Sequence, residues 1–319
     1  MKKKYLEEKT DIYNRLLEVG VPNNQAEVVA DCFATADEYG VTSHGINVLQ
    51  SHIDKVLKPS GGYNLSPSLD IIRETPSFAV IDGDNGMGPV VADYCMNYAV
   101  EKAREVGVFH VFSRNNNTFG PAFYYPLKAA EKGFIGILFS NTPAQMAPFG
   151  GKEKMLGTNP FAVVIPVPSS DPIIVDMATS VVAKSKFKQY KEQGKQLPDG
   201  WALDVNGLPT NDPDEGMKGL VQPMAGFKGY GIAMLIDIIS GLISGAAFLN
   251  KVGRFYSEEG KCMNVGFCCI AMDPRMILGE EYDNIINEYV ATLRNSERVG
   301  ESPIALPGDD RIKFMKSEG

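Results

Sequence analysis

Histidine is nearly missing from this chain of 319 residues, which holds only His44, His52 and His110. Imidazole is the side chain that most readily gives and takes a proton near neutral pH, so acid–base chemistry is confined to few positions. Three histidines in three unrelated contexts also argue against a histidine-built metal site. Cysteine is sparse as well: Cys32, Cys95, Cys262, Cys268 and Cys269 are odd in number and lack C-x-x-C spacing. Neither a disulfide framework nor a structural zinc site is expected from that pattern, and the thiols are expected to be reduced and mostly buried. Positive charge is in deficit, with 31 Lys and Arg against 39 Asp and Glu for a net charge of -8. Such a balance argues against nucleic acid or an anionic membrane as partner. Lys2-Lys3-Lys4 leads into Tyr5-Leu6-Glu7-Glu8 rather than an apolar stretch, so no secretory signal or membrane anchor is expected there, and the cytoplasm is the expected location.

Long apolar runs are absent but for one, the twenty-one residues Gly229 to Leu249, with Asp237 as their single charge. The length suits a bilayer, but an ionised carboxylate at mid-run is costly there. Small residues such as Gly231, Ala233, Gly241, Ser244, Gly245 and Ala246 let neighbours approach closely, so a helix buried in a protein core is expected. Missing too is the fingerprint G-x-G-x-x-G of the usual dinucleotide fold. Gly83, Gly86 and Gly88, and likewise Gly226, Gly229 and Gly231, have other spacings, and no Walker A loop occurs.

What is present reads as α/β. Residues 5–39 carry apolar positions at helical spacing, broken at Gly20-Val21-Pro22, with Asn23 or Asn24 as cap of a second helix. A third helix is expected over 46–57, ending before the loop Pro59-Ser60-Gly61-Gly62. From Phe78 strands and helices alternate: strands at 78–83, 107–113, 135–140, 161–166, 173–175 and 265–272, helices at 90–104, 124–132 and 280–296. Residues 190–225 are the least regular part, and 303–309 return to loop.

Four polar segments follow expected strands. Asn115-Asn116-Asn117-Thr118, Asn141-Thr142-Pro143 and Gly157-Thr158-Asn159-Pro160 offer amides and hydroxyls suited to a neutral ring or carboxamide, though also to plain turns. Asp176-Met177-Ala178-Thr179-Ser180 adds a carboxylate at a strand end, and together the four suggest a lined cleft. Lys228 and Gly229 open the long apolar helix, whose first amides could hold a phosphate or simply pack tightly. His44, in Thr42-Ser43-His44-Gly45 at a helix junction, reads locally either as a packed turn residue or as a proton shuttle.

In order along the chain, Thr42-Ser43-His44-Gly45, the Arg114 to Gly120 loop, Met146-Ala147-Pro148-Phe149-Gly150-Gly151, Gly157-Thr158-Asn159-Pro160, Asp176 to Ser180 and Lys228-Gly229-Tyr230-Gly231 resemble the non-Rossmann malate and L-lactate dehydrogenase family. That family also includes ureidoglycolate, sulfolactate and diketogulonate enzymes and the reductase of cyclic imino acids. The resemblance covers roughly residues 5–310. It implies an NAD- or NADP-dependent oxidoreductase with an atypical dinucleotide-binding α/β domain over 76–274, and a helical domain over 1–75 completed by 275–319. It also implies a homodimer whose subunits share the active-site cleft. His44 would be the catalytic proton donor or acceptor and Ser43 its hydrogen-bonding neighbour. Cofactor would be faced by Asn115, Thr118, Phe119, Gly120, Asn141, Thr158, Asn159, Asp176, Met177, Ala178, Thr179, Ser180, Lys228 and Gly229, and no metal is implied.

Two departures bear on the substrate. The family commonly places an arginine four positions after the histidine, where it can hold a carboxylate through a paired fork; here Val48 stands there. It commonly reads His-Phe-Gly where this chain has Thr118-Phe119-Gly120, and a threonine does not titrate near neutral pH. The groups left to face substrate around Val48 and Thr158 are His52, Arg114 and Lys55. Hydride transfer between nicotinamide and a 2-hydroxy or 2-oxo acid is the expected reaction, with malate and lactate themselves disfavoured by Val48. A ureidoglycolate-type or cyclic imino acid oxidoreductase, and a dinucleotide-binding homologue without turnover, are the alternatives.

Overall fold

In the computed structural model, residues 2–58, 62–255 and 262–317 are described. Most of the loop expected at 59–62 lies outside them. The chain opens with helices α1 (Lys2–Glu18) and α2 (Asn23–Glu38), two single-turn 3-10 segments (Thr42–His44 and Ile46–Val48) and α3 (Leu49–Val56). Strands β1 (Asp70–Glu74), β2 (Phe78–Asp82), β3 (Val108–Asn116), β4 (Ile135–Ser140), β5 (Phe161–Ile165) and β6 (Ile173–Met177) follow, with α4 (Gly88–Val106) and α5 (Tyr124–Glu131) between them. Next come α6 (Ser185–Glu192), β7 (Ala202–Leu203), β8 (Pro209–Thr210), α7 (Pro213–Lys218), β9 (Leu220–Val221) and α8 (Phe227–Ile236), which runs on as a π-helical segment, Asp237–Leu242. Strand β10 (Val265–Met272) and helices α9 (Pro274–Leu278), α10 (Tyr282–Arg294) and α11 (Asp309–Ser317) complete the chain.

The main sheet has seven strands in the order β1-β2-β3-β10-β4-β5-β6. Only β2 and β3 run parallel; β10 pairs antiparallel with both β3 and β4. Alternation along β2 to β5 puts Ala79, Ile81, Val111, Leu138, Ala162 and Val164 on one face, against α4 and α5, with α2 packed behind them. Phe33 of α2, Phe123, Tyr125 and Phe267 join the same core, where each large apolar side chain contributes about 1.5–3 kcal/mol by leaving water. The π-helical segment covers part of the other face, beside β10. Gly266 lies under it, where a Cβ would overlap the backbone carbonyl oxygen of Ser240.

The α/β organisation expected from the chain is present, with four differences in detail. Neither Asn23 nor Asn24 caps α2; Pro22 precedes the helix, and no side chain bonds its free amides. Asp176 and Met177 lie within β6 rather than after it, because that strand pairs with β5 through Phe161↔Met177. A helix begins at Asp309, within the stretch expected as loop, Asp309 and Asp310 placing acidic groups in its first turn. The stretch 190–225 is ordered by its own core, in which Phe187, Leu197, Ala202 and Val221 pack beneath the three-stranded sheet β8-β7-β9 and Trp201 sits edge-on to Tyr190.

The largest difference concerns Gly229 to Leu249. The run forms a helix only as far as Leu242 and is buried on one side only: Ala233, Gly241, Ser244 and Ala246 are buried as expected, while Met234, Leu235, Ile238, Leu242 and Ile243, with Phe227 just before the run, are exposed. Asp237 points inward instead, where its carboxylate accepts from Leu249 N at 3.0 Å and burial pushes its pKa up. Among the described residues no helix is long and apolar enough to cross a membrane. All five cysteines are free, with Cys262 alone exposed.

Helices at the two chain ends meet in part: Phe314 of α11 packs against Gly40, and Ile312 joins the main core. Val290 of α10 packs instead with Val167 and Ile173, at the β6 edge. Replacing Gly266 by alanine is expected to destabilise the protein by about 3 kcal/mol, because the main obstacle is the Ser240 backbone, which cannot swing aside as a side chain could. A urea unfolding midpoint equal to wild type would contradict that packing.

Candidate active site

Helix α2 ends at Tyr39 and Gly40, the latter at φ 73°, and Val41 N closes onto Ala36 O at 2.7 Å. This turns the chain into the 3-10 segment that carries His44. Gly45 follows, with no room for a side chain because the Asp37 carboxylate fills the space its Cβ would take. That carboxylate accepts from Ile46 N at 2.6 Å and so ties the turn to α2. Burial pushes the Asp37 pKa up, and its neighbour Glu8 is raised to about 7 by burial and by the Asp37 charge.

His44 and Ser43 open onto a cleft of about 870 Å³. Gly120, Pro121 and Ala122 form one wall, Thr142, Gln145, Thr158 and Pro160 another, and Asp176, Met177 and Ala178 lie at the end of β6. Lys184, Ser185 and Lys188 at the start of α6, Met217 of α7 and Arg311 of α11 complete the lining. The volume is that of a cleft for a cofactor and a small substrate.

Ser43 Oγ lies 2.9 Å from His44 Nδ1. With the proton on Nδ1 the ring donates to Ser43, and Nε2 keeps a lone pair that can accept a proton. His44 is reached by water through the cleft yet surrounded by protein, and this burial pushes its pKa down. The Asp176 charge opposes the shift and Arg311 adds to it. The latter two are themselves paired: Arg311 Nη1 donates to Asp176 Oδ2 at 2.7 Å and Nη2 to the Asp176 carbonyl at 3.1 Å. Lys184 donates to Gly219 O at 3.0 Å, and burial, with Lys154 and Arg254 nearby, lowers its pKa to about 8.

Of the residues singled out from the sequence, the fold brings Ser43, His44, Gly120, Thr158, Asp176, Met177 and Ala178 to this cleft. The others are placed elsewhere. Asn115 donates to both carboxylate oxygens of Asp82, and Arg114 Nε pairs with Asp82 at 3.2 Å. The Thr118 carbonyl abuts Gly88, and the Phe119 ring is buried edge-on against Phe267. Asn141 is buried, donating to Ala247 O at 2.7 Å and accepting from Gly266 N at 2.9 Å. Asn159 accepts from Thr142 N and donates to Ala233 O, so both asparagines hold the walls rather than line them. Thr179 and Ser180 are buried beyond the cleft, while Lys228 and Gly229 begin α8, where Gly229 is packed on Met224.

The residues expected to face substrate beside Val48 also lie outside the lining of this cleft. Val48 packs on the main core. His52 is buried among Phe33, Tyr63 and Phe255, its Nδ1 2.8 Å from Tyr63 Oη, and burial lowers its pKa to about 3. Lys55 lies over the Tyr63 and Phe255 rings. Conversely, Lys184, Lys188 and Arg311 were not singled out. The acidic first turn after Pro307-Gly308 signals the helix that carries Arg311, but nothing local shows that its guanidinium reaches Asp176.

The lining suits a nicotinamide cofactor. Thr142 Oγ1 is buried with no partner among the described residues, and Thr158 and Gln145 stand in the same wall. A carboxamide, which both donates and accepts, satisfies such groups. No cluster of three or more His, Cys, Asp or Glu able to hold a metal occurs among the described residues.

A family model described as malate/L-lactate dehydrogenase matches residues 5–318. The malate dehydrogenase of Pyrococcus horikoshii is 40% identical over 291 residues, covering 89% of this chain and 79% of that one. The L-sulfolactate dehydrogenase of Methanocaldococcus jannaschii is 39% identical over 315 residues, 98% of this chain and 90% of that one. The solved sulfolactate dehydrogenase structure from the same organism superposes with a TM-score of 0.91 at 38% identity, over 98% of this chain and 90% of that one. The chain belongs to the malate/L-lactate dehydrogenase family and is an NAD(P)-dependent oxidoreductase.

Gly45→Ala is expected to push the Asp37 carboxylate off Ile46 N, costing about 2 kcal/mol for a hydrogen bond to a charged group. Displacement of His44 should lower kcat on the order of 100-fold. Wild-type stability and turnover in that variant would show that Asp37 does not set the turn.

Proposed function

We propose that this member of the malate/L-lactate dehydrogenase family interconverts a 2-hydroxy acid and its 2-oxo acid with NAD or NADP, and that His44 moves the hydroxyl proton. The observation that carries the reading is the Ser43–His44 couple opening onto one cleft with Asp176, Arg311 and the Thr142 hydroxyl, which has no partner among the described residues. Nicotinamide, when bound, supplies the two-electron acceptor or donor. Around it this chain supplies position and a proton path. In the oxidative direction His44 Nε2 takes the proton of the substrate hydroxyl as the C2 hydride leaves, and Ser43 Oγ accepts from Nδ1 to stabilise the imidazolium that forms. In the reductive direction the same imidazolium gives the proton back to the carbonyl oxygen. We assign Thr142, Thr158 and Gln145 to orienting the carboxamide.

A second copy of this chain is the partner we assign. Phe227, Met234, Leu235, Ile238, Leu242 and Ile243 leave apolar side chains exposed along α8, the π-helical segment and the residue after it, and an exposed apolar surface of that kind marks an interaction site. A homodimer would cover that surface, and Met177 and Val181 are exposed as well. Free thiols fit a reducing compartment, so we place the protein in the cytoplasm.

Stopped-flow hydride transfer with NADH and NADPH against a panel of 2-oxo acids tests the activity. His44→Ala should lower kcat roughly 100- to 10,000-fold with cofactor affinity unchanged. Because the His44 pKa is depressed, neutral imidazole persists below its ordinary range: 2-hydroxy acid oxidation should rise with pH through that depressed value and then level, while 2-oxo acid reduction falls through it. An unaltered single-turnover rate in His44→Ala would remove His44 from the chemical step.

Light scattering tests the partner. Wild type should run at twice the chain mass, and Leu235→Glu with Ile243→Glu should shift it toward monomer, since burying two carboxylates opposes association. A monomeric wild type would refute the dimer.

A further inference from the structure

A 2-oxo acid carries a carboxylate beside the reacting carbon, and a site that binds it needs a cation with donors free to face it. The segment after His44 supplies none. Val48 packs on the core, His52 is enclosed by aromatic rings, Lys55 lies over Tyr63 and Phe255, and Arg114 is paired with Asp82. Lys184 and Lys188 also line the cleft with His44, the first donating to Gly219 O and the second beside Glu192, but among the described residues the planar fork that matches a carboxylate belongs there to Arg311 alone.

Its support is built from several directions. The Arg294 guanidinium pairs with both carboxylate oxygens of Asp309, at 2.7 Å for Nη2, and fixes the first turn of α11. Ile312 enters the main core. Phe123 lies beneath the Arg311 guanidinium, its ring centroid 5.2 Å away, and Asp176 holds one edge through two hydrogen bonds. Of five N–H donors, two are so used; the rest have no partner among the described residues. The side chain is 22% exposed, open to the cleft yet poorly screened by salt.

We propose that Arg311 is the carboxylate clamp of this site, a specificity-determining residue delivered by the C-terminal helix in place of a cation near position 48. The inference rests on the 2-oxo acid reading and narrows it: the preferred substrates present a free C1 carboxylate to Arg311 while the C2 oxygen meets His44. Asp176 has the opposite effect from a ligand. It orients the guanidinium but competes with substrate for its charge.

Calorimetric titration of oxamate, a non-reacting 2-oxo acid analogue, into the full-length protein loaded with NADH tests this. Arg311→Met should weaken oxamate binding roughly 10- to 100-fold, the worth of a charge-assisted pair, with NADH affinity unchanged. Arg311→Lys, which keeps the charge and loses the fork, should recover part of the loss. Asp176→Asn should leave oxamate binding equal or tighter, because the competing charge is gone. Equal losses in Arg311→Met and Asp176→Asn would mean that the pair only braces the cleft, and would overturn the clamp. So would unchanged oxamate affinity in Arg311→Met, or a wild-type complex that binds no oxamate. If wild type binds oxamate through Arg311 but transfers hydride to no 2-oxo acid, the clamp stands and the proposed reaction falls.

Discussion

The buried side chain of Asn141 is the joint on which the cleft depends. One amide sits at the end of β4, accepts from Gly266 N of β10, and donates to Ala247 O beyond the π-helical segment, with the Asp237 carboxylate 3.4 Å from the same nitrogen. Three parts of the chain that are far apart in sequence are thereby locked in one register. An amide buried this deeply costs several kcal/mol unless both its ends are satisfied, so the packing of all three parts is coupled to its bonds. Thr142, the next residue, then has a fixed direction into the cleft, and Asn159 reinforces it by accepting from Thr142 N. This wall of the cleft is thus rigid because the fold's own backbone needs are met there.

Across the cleft the organising effect is electrostatic. His44 feels burial and Arg311 pulling its pKa down and Asp176 pulling it up. At rest the balance leaves the imidazole neutral, the form that accepts a proton. In the proposed site an anionic substrate would change that balance, because a carboxylate on Arg311 would offset the positive charge that disfavours imidazolium. Substrate binding and proton affinity of His44 would then be linked with a definite sign: the bound acid would stabilise the protonated ring and so favour delivery of a proton to a carbonyl. Nothing has to move for this linkage to operate.

Much of the fold was legible in the sequence because it is written in short-range periodicity. The strands from Phe78 to Ser140 alternate cleanly and the helices of residues 5–39 keep their spacing. The apolar run from Gly229 misled for a physical reason. Small residues and low charge describe a surface that will be covered, but they do not say whether this chain or another covers it. In the isolated chain Met234, Leu235 and Ile243 face outward, while Ala233, Ile236, Ser240 and Ser244 turn in together with Asp237, the one charge in the run. Composition reports the need for burial; topology decides who meets it.

The site divides along the same line. Ser43 with His44, and Thr158 with Asp176, were legible because each is a local cluster of chemistry-bearing residues at the end of an element. Arg311 was not, because its meaning lies in a contact with Asp176 across 135 positions of sequence. A guanidinium on a C-terminal helix is unremarkable until the sheet has been assembled and the helix laid beside β6. The same distance explains how a valine at position 48 is compatible with binding an acid. A clamp is defined by where its donors point, not by the position that usually supplies them, and a long side chain on a separately anchored helix reaches the same cleft from the other end of the chain. Loss of a charge at one position in such a site is therefore weak grounds for loss of function, unless the remaining walls have been searched for a donor set with unused capacity.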